Sequence, residues 1–456
     1  MYWKSLKYML YLFLIVFLPL LVTAQGTKPL TLMDCIEQAL KENIQLKIQL
    51  NNQQIAQYDR EQSQWNLAPS ISGGANSSVN FGRGTDQNND IQSGTSYSVG
   101  YGISGSLTLF GGLKKINTIA ARKYIELAYH ETTQKQINAL YLQIVDLYTQ
   151  ILYQKELIKV AKEKLEVSKL EAERITAMIE SGLMEEVAKH EINATVSSNQ
   201  LEVDQRTNNH NLLLLDLAQL IEYPDIEHFD IDTFEFGVIQ PSSLNYTSTM
   251  VYQWACMNLP QVKAKELELA YSKKVLAIYK GNLSPSLSMS GGYSSSFYST
   301  DTIDDGSQTP FGNQFSNYLN PSLGVSLSVP IFNGRSTSYQ LKKQRLTIEN
   351  ANYDLEYEKK VLRKEIESTL KQLQAYETEY KSASDNLVYV EKSFETNREK
   401  YQLGMVNATD FVVAQNQLSQ AKVSVVNAKY NWIVQEKTLR LLMGEGEGNL
   451  LWNTGN

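Results

Sequence analysis

Cysteine, histidine, proline and surplus positive charge are all scarce in this chain. Two cysteines, Cys35 and Cys256, cannot build a disulfide scaffold or a multi-cysteine metal site. Their spacing leaves open whether they pair with each other. Four histidines leave little for metal or acid–base chemistry, and ten prolines in 456 residues exclude a proline-rich disordered chain. Lys and Arg number 42 against 49 Asp and Glu, a net charge of -7, which is not the balance of a nucleic-acid binder. Catalytic motifs are missing too. Gly82-Arg83-Gly84 has neither the third glycine nor the following helix of a nucleotide loop. His190-Glu191 has Ala194 where a zinc-protease helix needs its second histidine. The residues point to no enzyme, no metal and no cofactor. What is abundant is tyrosine, with 27 residues, and glycine, with 25.

Residues 1–24 read as an export signal. Lys4 and Lys7 precede the apolar run Tyr8–Val22, and Val22-Thr23-Ala24 supplies small residues for cleavage after Ala24. The competing reading, a membrane-anchoring helix, needs about 20 apolar residues, more than this run offers. Cys35 lies too far beyond Ala24 to be a lipidation site. Cleavage removes Lys4 and Lys7 and leaves 40 positive against 49 negative residues, or -9.

One plan is written twice. A shift of 216 carries Ala39 onto Ala255, Gln45 onto Gln261 and Asn66-Leu67-x-Pro69-Ser70 onto Asn282-Leu283-x-Pro285-Ser286. Farther on the shift becomes 222, carrying Phe110-x-Gly112 onto Phe332-x-Gly334 and Gly182 onto Gly404. The six-residue change of shift falls between the two alignments, where 301–317 replaces the shorter 83–94, as at a surface loop tip. A repeat this long is a duplication rather than a solenoid unit. The first copy spans about 25–222, with helices about 30–66, 113–180 and 185–222 and strands about 70–82 and 95–110. A linker, 223–245, leads to the second copy, about 246–443, and a flexible tail, 444–456, follows. In the second copy helices are expected at about 246–281, 336–402 and 407–443, with strands at about 285–299 and 318–332.

The strands carry the sharper signal. Tyr97, Val99, Tyr101, Ile103, Leu107 and Leu109 alternate with Ser96, Ser98, Gly100, Gly102, Ser104, Ser106 and Thr108. Leu323, Val325, Leu327 and Val329 alternate with Ser322, Gly324, Ser326 and Ser328 in the second copy. A soluble sandwich also alternates. However, strands of about 9–11 residues with a Ser/Gly/Thr face and no charge suit an oblique bilayer crossing. Phe81, Tyr97, Phe297, Tyr298 and Tyr318 gather towards the loop ends, as an interfacial girdle would.

The helices are long. Leu113–Glu180 and Gln340–Leu403 contain neither proline nor glycine, and about 65 helical residues reach about 100 Å. Leu140, Ile144, Leu147 and Ile151 recur at three- and four-residue steps, as in coiled-coil-like packing. Gly182 and Gly404 then interrupt each helix at a hairpin turn. Four strands cannot close a membrane barrel, which needs about eight, and an open edge in lipid costs several kcal/mol per unpaired group. Copies of the chain must therefore share a barrel, continued by helices as a conduit.

The duplicated order, the Asn-Leu-x-Pro lead-in to a strand, and the exits Leu109-Phe110-Gly111-Gly112 and Pro330-Ile331-Phe332-Asn333-Gly334 resemble the TolC-type outer-membrane efflux factor family. So do Gly404–Asp410 and Asn427-Ala428-x-Tyr430-Asn431, and the likeness extends over about 30–443. The resemblance implies an α+β membrane protein: a homotrimer with a 12-stranded outer-membrane barrel, four strands per chain, and a periplasmic barrel of twelve helices. It implies a passive exit duct that docks a periplasmic adaptor and an inner-membrane transporter. The cargo would be drugs or other small molecules, with type I protein secretion or metal efflux as the alternatives. It also implies that the turns meet the adaptor, through Gly182, Leu183 and Met184 and through Gly404, Met405 and Val406. Asp410 matches an acidic aperture residue, and Glu185 and Glu186 would add negative charge from the first copy. Each glycine is equally a helix cap, and each acid equally a helix-start residue favoured by the dipole. Val413 and Val406 stand where relatives carry a second acid and a basic latch residue, so an ionic latch is not expected. Two other classes fit less well. A trimeric autotransporter has contiguous C-terminal strands, and a soluble coiled-coil adaptor lacks alternating Gly/Ser strands.

Overall fold

The structure is a computed structural model that describes residues 29–85, 91–233, 247–299 and 307–444. The expected leader 1–24, most of the linker (234–245) and the tail beyond Gly444 lie outside the described residues. In chain order the elements are α1 (Leu32–Glu42), α2 (Ile44–Trp65), β1 (Ser70–Thr85), β2 (Ile91–Gly111), α3 (Lys114–Glu180) and α4 (Val187–Leu220). There follow α5 (Ser248–Asn258), α6 (Pro260–Gly281), β3 (Ser286–Tyr298), α7 (Phe311–Asn317), β4 (Asn320–Ser328), α8 (Ser336–Gln402) and α9 (Ala408–Leu442).

The first helix expected in each copy is in fact two. At Asn43 the chain turns extended, and the buried side chain ties the start of α2 to the end of α4. Its Oδ1 accepts the Leu46 N–H at 2.9 Å, and its Nδ2 donates to the Leu220 carbonyl at 2.9 Å. The later break, between α5 and α6, falls 216 residues on, at Leu259, and has a different cause. Leu259 precedes Pro260, which disfavours helical backbone there and places proline at the first helical position. The α1 start is a capping box, with Thr31 and Asp34 each accepting the other's backbone N–H.

Two compact units divide the chain, each drawing on both halves of the sequence. One, helical, comprises residues up to Lys47, Ile137–Val251 and those from Ile366 onward. Its core gathers Cys35, Ile36 and Leu46 with Leu140, Ile144, Tyr148 and Ile151 of α3, Leu217 of α4, Ile221 just after it, and Ile433 of α9. The three- and four-residue spacing along α3 keeps these side chains on one stripe. Tyr148 extends beyond it: its hydroxyl donates to the Asp232 carbonyl at 2.7 Å. That carbonyl adjoins a parallel bridge between Leu30 and Ile231, so the segment before α1 and the segment after α4 are fastened to α3.

The other unit comprises Ile48–Gln136 and Tyr252–Glu365 and contains the sheet. The strand order is β1-β2-β3-β4, antiparallel throughout, which leaves β1 and β4 as its edges. Val79 pairs with Tyr97, Ile103 with Tyr293, Leu107 with Met289 and Leu287 with Leu327, so apolar side chains share one face across all four strands. The register shifts between Thr108 and Phe110, and Phe110 then pairs with Leu287. A bulge of this kind carries an even-numbered residue onto the apolar face.

Part of the segment expected as a loop tip is helix α7. Tyr101 stacks on Phe315 with centroids 5.5 Å apart, and Phe311 closes on Phe297 at 5.8 Å. Gln314, fully buried, accepts the Tyr298 N–H at 2.8 Å and donates to the Tyr298 and Thr309 carbonyls at 3.1 and 2.9 Å. Its amide thus serves β3 as a strand would, beyond the point where β4 begins to pair at Ser294. Among the described residues, no helix is long and apolar enough to cross a membrane.

Candidate functional site

The sheet opposes its apolar side with hydroxyls and bare backbone. Ser70 and Ser106 hydroxyls lie 2.9 Å apart across the β1–β2 ladder, and those of Ser78 and Ser98 lie 2.7 Å apart. A groove of about 580 Å³ borders Ser72, Asn76, Ser104, Ser294 and Ser296. The strands hold 16, 21, 13 and 9 residues, yet Arg83 is their one charged residue. Such a face can wet a passage and cannot sort ions by charge.

At the two helical turns, Gly182 and Gly404 have φ of +72° and +73°, the left-handed region that other residues enter at a cost. Both turns have the same hydrogen bonds. Leu183 N–H donates to Met178 and Gly182 N–H to Ile179. Met405 N–H donates to Lys400 and Gly404 N–H to Tyr401. This pair of bonds is the Schellman closure of a helix C-terminus. It directs the next residue outward: Leu183 is 72 % exposed and Met405 69 %. The third member of each expected triplet differs. Met184 and Val406 are half-buried, and Val406 packs against the cluster of Phe394, Tyr401, Phe411 and Ala414. The outward apolar surface is therefore Leu183 in one turn and Leu403 with Met405 in the other.

The expected acids sit at helix starts. Asn407 caps α9 by accepting the Asp410 N–H at 2.8 Å, and this leaves the Asp410 carboxylate exposed in the first turn. Glu185 and Glu186 precede α4, are exposed, and Glu186 provides no side-chain cap. The structure brings none of the three into an ion pair among the described residues. Asp410 gains from the helix dipole, and so does a carboxylate at the α4 start.

Behind the turn of α8 and α9 lies a cluster that the sequence did not announce. Tyr401, buried near the end of α8, donates its hydroxyl to Glu171 Oε1 of α3 at 2.5 Å. Arg174 Nε donates to both Glu171 oxygens at 3.1 Å, and its guanidinium stands 4.4 Å over the Tyr401 ring. The opposite contact of that ring is Phe411, stacked at 4.7 Å. Burial, and then the bond to the Glu171 carboxylate, push the Tyr401 phenol up to about 12. The bond to Glu171 raises Arg174 as well. Farther along α3, Gln415 of α9 donates to the Lys164 carbonyl at 2.9 Å, and Asn199 of α4 donates to Ser168 Oγ at 3.1 Å. The one local signal was the Glu171/Arg174 spacing of three, which fits any exposed helix pair.

Among the described residues, no three His, Cys, Asp or Glu side chains are grouped to hold a metal ion. Cys35 and Cys256 are free thiols. Burial, then the Asp34 carboxylate, push the Cys35 thiol up to about 12, which leaves it unreactive.

Comparison with known proteins adds the lineage. The pattern of the family described as Outer membrane efflux protein matches residues 35–221 and again 251–445. Outer membrane protein TolC of Escherichia coli (strain K12) is 21% identical over 224 residues, 49% of this chain and 44% of that protein. TolC of Vibrio cholerae is 27% identical over 167 residues, 35% of each. The matched stretches thus span less than half the length of both relatives. Among solved structures, the CmeC outer membrane channel of Campylobacter jejuni superposes with a TM-score of 0.78 at 18% identity, over 91% of this chain and 86% of that one. The open state of the MtrE outer membrane channel of Neisseria gonorrhoeae gives 0.73 at 18% identity, over 91% and 89%. At that identity the likeness is one of fold, whereas the family pattern covers most of the sequence in two stretches. The chain belongs to the outer membrane efflux protein family.

Proposed function

We propose that three copies of this chain close a 12-stranded barrel in the outer membrane and act as the passive exit duct of a tripartite efflux pump. The observation that carries this reading is the four-stranded sheet, with one apolar face, one Ser/Gly face and unpaired edges at β1 and β4. Lipid tolerates no such edge, and three sheets joined edge to edge remove it. The apolar side then meets lipid and the hydroxyl side lines the passage. The near absence of charge in the strands leaves discrimination to the helical turns and to the partners. Leu183, Leu403 and Met405 suit an apolar contact with a periplasmic adaptor, which in turn meets an inner-membrane transporter. Asp410 from each copy, with Glu185 and Glu186, forms an acidic ring where the helices narrow. Three like charges at one axis repel each other and attract cations. In this reading the duct exports drugs or other small molecules, selected upstream by the transporter.

Light scattering of the detergent-solubilised protein and single-channel conductance in planar bilayers test the reading together. A trimer with one discrete conductance supports it. A monodisperse monomer without conductance overturns it.

A further inference from the structure

Helix α7 rests on the apolar side of the sheet. Tyr101 of β2 stacks on Phe315, and Phe297 of β3 meets Phe311. Between those contacts the Ser295 hydroxyl donates to the Phe315 carbonyl at 2.8 Å. Tyr101, Ser295 and Phe297 are odd-numbered, and they continue the face that carries Ile103, Tyr293, Leu107 and Met289. Ser295 would interrupt that face with a bare hydroxyl, and under α7 it is buried. Tyr298, where β3 ends, adds an edge-on contact with Tyr318 at 5.6 Å. The helix thus forms a second layer on the apolar wall and leaves the hydroxyl-lined face uncovered.

Its level on that wall follows from the strands. Gly111 ends β2 at the side where α3 begins. From Gly111 to Tyr101 is about ten residues, about 34 Å of strand and about 24 Å of height at a tilt of about 45°. The apolar band of a membrane barrel is about 25 Å tall. Helix α7 therefore lies where that band ends, on the side away from the long helices.

Its own residues suit such a boundary. Phe311, Phe315 and Leu319 recur at steps of four, and 56 %, 44 % and 45 % of each stays exposed beyond the sheet contact. Asn313, Ser316 and Asn317 are exposed as well and occupy the opposite side of the helix. No charged side chain occurs from Ser307 to Gly334. Three half-exposed side chains offer well under the roughly 800 Å² that each partner buries in a stable protein interface. They continue a surface already assigned to lipid, and aromatic rings favour the level where acyl chains meet headgroups.

We propose that α7 is an interfacial anchor lying in the plane of the outer leaflet. Phe311, Phe315 and Leu319 enter the headgroup end of the acyl chains, while Asn313, Ser316 and Asn317 face the headgroups. The anchor rests on the reading that the apolar sheet face meets lipid, and adds to it a helical layer at one depth.

Depth-resolved quenching tests it, in the full chain carrying Cys256→Ala with the buried Cys35 retained. Single cysteines carry a nitrobenzoxadiazole label in phosphatidylcholine vesicles whose lipid is spin-labelled either near the headgroup or at the chain end. At Leu319→Cys the headgroup label should quench roughly twofold more than the chain-end label, matching insertion of about 5–10 Å. Val325→Cys, in the middle of the apolar face of β4, should show the reverse order. Asn313→Cys should respond to aqueous iodide more than to either lipid. Phe311→Cys repeats the measurement at the other end of the stripe, and light scattering checks that each labelled variant assembles as the parent does. Lipid quenching at Val325 with iodide quenching alone at Leu319 and Phe311 overturns the anchor and leaves the lipid-facing sheet standing. Shielding of Leu319 and Phe311 from both reagents means that protein, a second copy included, covers α7, and overturns the anchor as well. Absence of lipid quenching at Val325 removes the lipid-facing reading and the anchor together.

Discussion

The hydroxyl of Tyr401 meets Glu171 at 2.5 Å across 230 residues of chain, and Arg174 neutralises the carboxylate from the other side. Through this contact α8, just before its terminal turn, is fixed to α3. Phe411, stacked on Tyr401, brings the start of α9 into the same cluster.

Tyr401→Phe keeps the ring stack and removes one hydrogen bond to a charged acceptor, worth about 1.5–3 kcal/mol. Hydrogen exchange of amides between Phe394 and Phe411 should accelerate roughly tenfold or more, with exchange in the sheet unchanged. Unaltered exchange at the turn would show that the bond contributes nothing to holding it.

Alkali should loosen the same place. The folded phenol of Tyr401 titrates at about 12, above the ordinary value of 10. Protonated phenol is therefore favoured in the folded state. Its stabilising contribution is complete below pH 10 and is lost as the pH rises towards 12. Proteolytic sensitivity of residues 394–411 should rise over that window in the parent. In Tyr401→Phe the rise attributable to this site should be missing.

At Gly404 the backbone has φ +73° with open space around it, so a larger residue suffers from conformation rather than from collision. Gly404→Val should cost about 1–2 kcal/mol at the turn. Efflux in cells should fall while the protein still reaches the outer membrane as an oligomer. Normal efflux would remove the turn from the docking surface.

Asp410→Asn tests the acidic ring. Its backbone N–H, bonded to Asn407, is retained, so the helix start should survive. Bilayer recordings under a salt gradient should show loss of cation preference. An unchanged permeability ratio would place Asp410 away from the aperture.

Gln314→Ala removes the amide that pairs with both backbone groups of Tyr298. Amide exchange at Tyr298 should rise by about one to two orders of magnitude as α7 detaches from Tyr101 and Phe297. Protection equal to that of the parent would mean that the aromatic contacts alone hold α7.

Family membership places the chain in the outer membrane with its helices on the periplasmic side, and excludes an enzyme. Much that supports this was legible in the sequence because it is local. Alternation from Ser96 to Thr108 assigns each strand residue to a face, and glycines 182 and 404 end helices because few other residues enter positive φ cheaply. Other features were hidden because their partners are distant. The break at Asn43 depends on the Leu220 carbonyl, 177 residues away, where no proline or glycine marks the site. Helix α7 is held by Tyr101 and Tyr298 rather than by its own seven residues. Val406 was grouped with the docking residues of its turn, and is half-buried because the cluster of Phe394, Tyr401, Phe411 and Ala414 offers it an apolar surface.

The sequence by itself determined the strand faces, the uninterrupted long helices and the two turns. Each follows from backbone preferences and side-chain spacing within a few residues. Only the tertiary structure decided which helices meet, which turn residues stay exposed, and that the half-buried Arg174 joins the buried Glu171 and Tyr401 in one cluster. Those outcomes depend on burial and on partners brought together from far along the chain, and no local pattern encodes them.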